Sequence, residues 1–149
     1  MVDVANVMGA RADGWWRDRA GAALRLCREV IALAGRGADR SGERPADAWV
    51  LVLEGRAREA VALLQEWALP DNDAPPGADW VPPPTGDGAA PVRVVSAPAS
   101  GDDTIVGVVA EVVARDEPCL VVTADRELRQ RCEELNASVV GPGWLLRLL

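Results

Sequence analysis

Apolar and polar positions alternate along this chain in two rhythms: short apolar runs, and longer stretches with helical spacing. The run at 1–7, MVDVANV, predicts a short strand with Asp3 inside it, not placed as a helix cap. Residues 15–36 follow with apolar positions at Ala23, Leu24, Cys27, Val30, Ile31 and Ala34, which is helical spacing. Residues 48–55, AWVLVLEG, are a continuous apolar run, as in a strand covered on both faces. The pattern then predicts a helix at 56–69, a strand at 92–97, a helix at 102–115, a strand at 118–124, a helix at 125–135, a strand at 137–141 and a terminal turn or helix at 143–149. Strand and helix in regular succession predict an α/β fold: a parallel sheet with helices on both sides, in one domain spanning 1–149.

One segment breaks the rhythm. Residues 70–91, PDNDAPPGADWVPPPTGDGAAP, are rich in Pro, Gly and Asp and too long for an ordinary connection. They read as a tethered solvent loop, pinned to the surface through Trp80 and Val81, or as a segment that binds a protein partner. Trp144 is a second candidate partner contact.

Composition narrows the chemistry. At 149 residues and 49 % apolar content the chain is long enough to bury a core. No apolar run approaches the roughly 18 residues of a membrane span. The N-terminal residues carry an acid and no basic stretch, so neither a secretory leader nor a membrane partner is expected, and the expected location is cytoplasmic. The three cysteines, Cys27, Cys119 and Cys132, are far apart and read as small core thiols. The chain has no His, which excludes His-based general bases, Ser-His-Asp triads and His-rich zinc sites. Acid–base or metal chemistry therefore falls to carboxylates. The net charge is −7, unlike a dedicated nucleic-acid coat.

The acids fall in a pattern. In open parallel sheets, ligands bind beyond the carboxyl ends of the strands, at the topological switch point. Asp3 and Asn6 lie on or just after the first strand, Glu54 ends the second, Asp102 and Asp103 follow the third, and Asp125 follows the fourth. Each has a plain structural reading. Asp102 and Asp103 suit the positive end of a helix dipole, Asp125 suits a helix cap, and Glu54 suits a solvated strand end. Their convergence on one edge says more than any member, because crowded carboxylates repel and are best tolerated around divalent cations. Oxygen ligands without His or Cys suit Mg²⁺ or Mn²⁺ rather than zinc.

These residues resemble a known family. VDVANVMG resembles the D-x-x-N strand-one motif of NYN domains, within the PIN-like nuclease superfamily. SGDDTIVGVV resembles the second acidic motif, and LVVTADRELRQRCEELNASVVGPGWLL the third, in the order and spacing of the YacP-like branch. The resemblance implies a three-layer α/β/α fold with a five-stranded parallel sheet of order 3-2-1-4-5, and a metal-dependent endoribonuclease. It implies Asp3, Asp102 and Asp125 as catalytic metal ligands, with Asp103 and Glu54 as further acids and Asn6 and Thr123 orienting ligands or water. The three main carboxylates are then expected within roughly 4–8 Å of one another. The implied substrate is RNA, single-stranded or looped, and a homodimer is in keeping with the family.

The candidate RNA contacts are Trp15 and Trp16 beside Arg17 and Arg19, which would stack a base and hold a phosphate near the end of strand one, with Arg126 and Arg129 as weaker phosphate contacts. The alternative for this stretch is one Trp in the core and a solvated face of arginines. Two other functions are carried alongside the ribonuclease: a non-catalytic binding module that keeps its acids for fold or metal, and a phosphohydrolase acting on a small nucleotide. A toxin of the PIN type is a further form of the enzyme reading.

Overall fold

The computed structural model describes residues 1–36, 45–68, 79–82 and 88–149. Five strands, β1 (Val2–Asp3), β2 (Trp49–Leu53), β3 (Val92–Ser96), β4 (Leu120–Val122) and β5 (Ser138–Val140), form one parallel sheet of order β3-β2-β1-β4-β5. The helices are α1 (Val4–Gly9), α2 (Arg19–Gly35), α3 (Ala60–Ala68), α4 (Gly101–Val113), α5 (Arg126–Glu134) and α6 (Pro142–Leu146). A 3₁₀ turn at Gly55–Glu59 precedes α3.

Strand alternation builds the layers. On β2, Leu51 and Leu53 point to one core and Val52 to the other; Val94 and Val95 on β3, and Val122 and Val121 on β4, divide the same way. The first core takes its helical side from α1, α2, α3 and Leu145 of α6. The second is closed by Ile105 and Val109 of α4 and Leu128 and Cys132 of α5. Burying both faces is why β2 and β4 read as unbroken apolar runs. The expected three-layer α/β/α architecture and strand order are those of the molecule.

The start of the chain departs from expectation. The strand foreseen over 1–7 is only Val2–Asp3, and the chain turns directly into α1. Asp3 is the N-cap of that helix, its carboxylate accepting from Asn6 N–H at 3.0 Å, so the expectation that it is not a cap is overturned. The misreading has a physical cause. Val2 and Val4 suggest period two, but Val4, Val7 and Met8 are buried at i, i+3 and i+4 on one helical face. The helix expected at 15–36 begins later, at Arg19, behind the capping side chain of Asp18.

Of the segment at 70–91, residues 70–78 and 83–87 lie outside the described residues, as does residue 69 of the helix expected at 56–69. Trp80 is described, and it does more than rest on the surface. It is 4 % exposed, belongs to the first core, and forms an antiparallel bridge with Val94 through bonds of 2.8 and 2.7 Å. Asp79 beside it pairs with Arg93 at 2.7 Å. Val81, by contrast, is 63 % exposed and pins nothing.

Among the described residues no helix is long and apolar enough to cross a membrane. Cys27 and Cys132 are buried and Cys119 half-buried, all as free thiols. Burial pushes Cys27 up to about 12 and Cys132 to about 11, which makes both inert core groups.

Candidate functional site

The strand order places the switch point at β1. The chain runs outward through β2 and β3, then returns to lay β4 on the other side of β1. At the carboxyl ends of these strands lies an open cleft of about 560 Å³. Asp3, Asn6, Glu54, Ser100, Asp102 and Asp125 line it, with Ala5, Gly9, Ala10 and Ala124 between them. Four acids arriving from four strand ends therefore do share one crevice.

Local chain physics explains how they arrive. Helices α1, α4 and α5 all begin at the cleft, and their N-caps are Asp3, Ser100 and Asp125. Each cap accepts from an amide of its own first turn: Asn6 N–H to Asp3, Asp103 N–H to Ser100 Oγ at 3.3 Å, and Leu128 N–H to Asp125 Oδ1 at 2.9 Å. The positive ends of three helices thus face a site otherwise crowded with negative charge.

Asp3 is held hardest. It is 7 % exposed, and Thr123 Oγ1, fully buried, donates to its Oδ2 at 2.9 Å. The same Thr123 oxygen accepts from Asp125 N–H at 3.1 Å. Asn6 closes the loop: its Oδ1 accepts from Ala124 N–H at 2.9 Å. These bonds stitch the end of β1 to the end of β4. Glu54 Oε2 accepts from Gly101 N–H at 2.9 Å, which ties β2 to the start of α4. Asp102, half-buried, accepts no hydrogen bond from any described residue.

The electrostatics follow. Burial raises the pKa of Asp3; its bonds from Asn6 and Thr123 oppose this, and the charges of Asp102 and Glu54 add to it. Burial likewise raises Asp102, helped by Asp125 and Glu54 and opposed by Arg131. Among the described residues that line the cleft, none is basic. Carboxylate and amide oxygens, without thiol or imidazole, are the donors preferred by hard divalent cations, so the donor set fits Mg²⁺ or Mn²⁺ in kind. In spacing it is open: among the described residues no three acidic or thiol side chains are grouped so as to hold an ion as they stand.

Not every expected residue reaches the cleft. Asp103 turns away and pairs with Arg131 at 2.7 Å, as neighbours on a helix must diverge by about 100°. Thr123 lies beneath the cleft as the bond-bearing link between Asp3 and Asp125. Trp15 stands at the rim: a Cβ added to Gly9, which lines the cleft, would lie 3.9 Å from its ring. Arg19 lies over the Trp15 ring at 5.3 Å, and Trp16 meets Trp15 edge-on while staying 59 % exposed. Trp15 also packs against the first core, as the structural alternative for this stretch expects of one Trp. Arg17 and Arg126 are exposed, whereas Arg129 is taken up by Glu133 and the Val139 carbonyl. Sequence reading missed Ser100, whose signal was the S-x-x-D spacing ahead of an apolar helical run.

Fold and cleft together define a parallel α/β domain with an acidic site at its switch point. Compared with protein-family models, with curated proteins and with solved structures, the chain matches none.

Proposed function

We propose that the cleft hydrolyses RNA phosphodiester bonds with Mg²⁺ or Mn²⁺, as an endoribonuclease. The observation that carries this reading is the arrival of Asp3, Glu54, Asp102 and Asp125 from four successive strand ends in one cleft, where none of the described lining residues is basic. A divalent ion bound there would neutralise these acids, engage phosphate oxygens and lower the pKa of a bound water. The chain's own residues divide the remaining work. Asp3 is a fixed ligand, oriented by Asn6 N–H and Thr123. Asp125 caps α5 through Oδ1, and no described residue donates to its Oδ2. Asp102 accepts no hydrogen bond from any described residue, so its carboxylate would be the one left to meet an ion. Trp16 and the Arg19–Trp15 pair at the rim give a base a surface to stack on and a phosphate a charge. The order of the three acidic motifs, with its resemblance to NYN domains, supports the same reading.

A second reading rests on a specific observation. Asp3 and Asp125 are helix caps, and Glu54 accepts an amide, so three of the acids have structural work without any chemistry. A non-catalytic module would keep them for that reason.

The test is cleavage of a labelled, partly structured RNA with Mn²⁺, Mg²⁺ or EDTA, using the parent and the variants Asp102→Asn and Asp125→Asn. Metal-dependent cleavage by the parent, lost in both variants, is expected. No cleavage by the parent, or equal cleavage by all three, would leave the module as the reading.

A further inference from the structure

A second cavity, of about 620 Å³, lies between α2 and α3 and shares no residue with the acidic cleft. Arg25, Arg28 and Arg36 line it with Trp67, over a floor that includes Ile31. Arg25 and Arg28 occupy the solvent stripe of α2 and Arg36 is its C-cap, so Arg25 to Arg36 spans about 16 Å at the helical rise. The Arg28 guanidinium lies 4.7 Å from the centroid of the Trp67 ring, which remains 43 % exposed. Glu29, the one acid among the described lining residues, is paired with Arg11. Among the described residues Arg25 makes only a long 3.8 Å contact with Asp13 and is itself half exposed, while Arg36 donates to the Leu148 carbonyl at 3.3 Å. Three cations and an exposed indole on a chain of net charge −7 make a local reversal of sign that the core does not require.

We propose that this groove binds single-stranded RNA, its arginines on the phosphates and Trp67 against a base, as an anchoring site remote from the acids. The choice of nucleic acid over an acidic peptide rests on the ribonuclease reading of the cleft and on the indole, since an anionic peptide needs the charges but not a stacking face. An acidic cleft repels a polyanion until it is neutralised, so capture at a separate cationic groove holds the strand without relying on the site that must cut it.

The test measures anisotropy of labelled oligouridine and oligoadenine with the full chain in EDTA, across a salt series. The variants are Arg25→Gln/Arg28→Gln, Trp67→Leu and, as a charge-matched control away from the groove, Arg115→Gln, with thermal melts to confirm folding and polyglutamate as competitor. Binding is expected in the parent and in Arg115→Gln. Trp67→Leu should weaken it about tenfold, and the double arginine variant should lower the slope of log K against log salt by about 0.7 for each phosphate it no longer neutralises. Absence of binding by the parent, equal binding by the groove variants, or displacement by polyglutamate as readily as by unlabelled RNA overturns the proposal. Cleavage of a short RNA with Mn²⁺, measured in parallel, separates the two readings. Cleavage with no groove effect sinks the groove alone, and groove-dependent binding without cleavage sinks the nuclease alone.

Discussion

Asp102 is the acid of the cleft that no hydrogen bond from a described residue ties down, and its substitution isolates charge from structure. Folding raises the pKa of Asp3 and Asp102 above the 3.8 of a free carboxyl. The native state therefore holds more protons than the unfolded chain just above that value, and this cluster loses stability as pH rises through the raised values. Asp102→Asn removes the repulsion and breaks no bond. In EDTA at pH 7 it is expected to raise Tm by about 2 °C, with the difference vanishing in melts near pH 3.5. Added Mn²⁺ should raise the parent's Tm and move the variant's less. Thr123→Val tests the opposite limit. It deletes a buried hydroxyl that donates to Asp3 and accepts from Asp125 N–H. Denaturant melts should show a loss of about 2 kcal/mol, since an unpaired buried polar group costs its full desolvation.

At the scale of the element, three helix starts build the cleft, and α4 is the most constrained of them. A Cβ on Gly101 would lie 2.6 Å from Glu54 Oε2. Gly101→Ala should push Glu54 off the helix and cost about 1 kcal/mol, visible as a lower denaturant midpoint and a smaller Mn²⁺-induced thermal shift. The elements also show what could be read beforehand. Strands β2 and β4 were legible because burial on both faces writes them as apolar runs, and α4 and α5 because Ile105, Val109, Leu128 and Cys132 repeat at helical spacing. The opening was not legible: VDVANV satisfies period two and period 3.6 at once, and only packing of α1 against α2 and the sheet decides between them. The acids were foreseen at one edge. The partner of Asp103 was not, because Arg131 lies far along the chain on another helix.

At the scale of the whole molecule, β3 ends the sheet and Trp80 closes part of that edge. A lone antiparallel bridge to Val94 and a buried indole hold residues 79–82 across it. Trp80→Ala removes a large buried side chain and should cost about 3–4 kcal/mol, a substantial share of a stability of about 5–15 kcal/mol. Calorimetry would show it as a large fall in Tm; an unchanged Tm would mean that the indole contributes little to the core.

The bonds that join β1 to β4 also bear on descent. Asp3 and Asp125 close helix ends and share Thr123 between them, so a lineage that stopped using the cleft would still be held to both by the need to fold. Their persistence among descendants would testify to architecture. Asp102 owes the backbone nothing, and an Asn there would be free or even favoured once chemistry lapsed. In any future set of kindred sequences, it is the residue at position 102 that keeps the record of use.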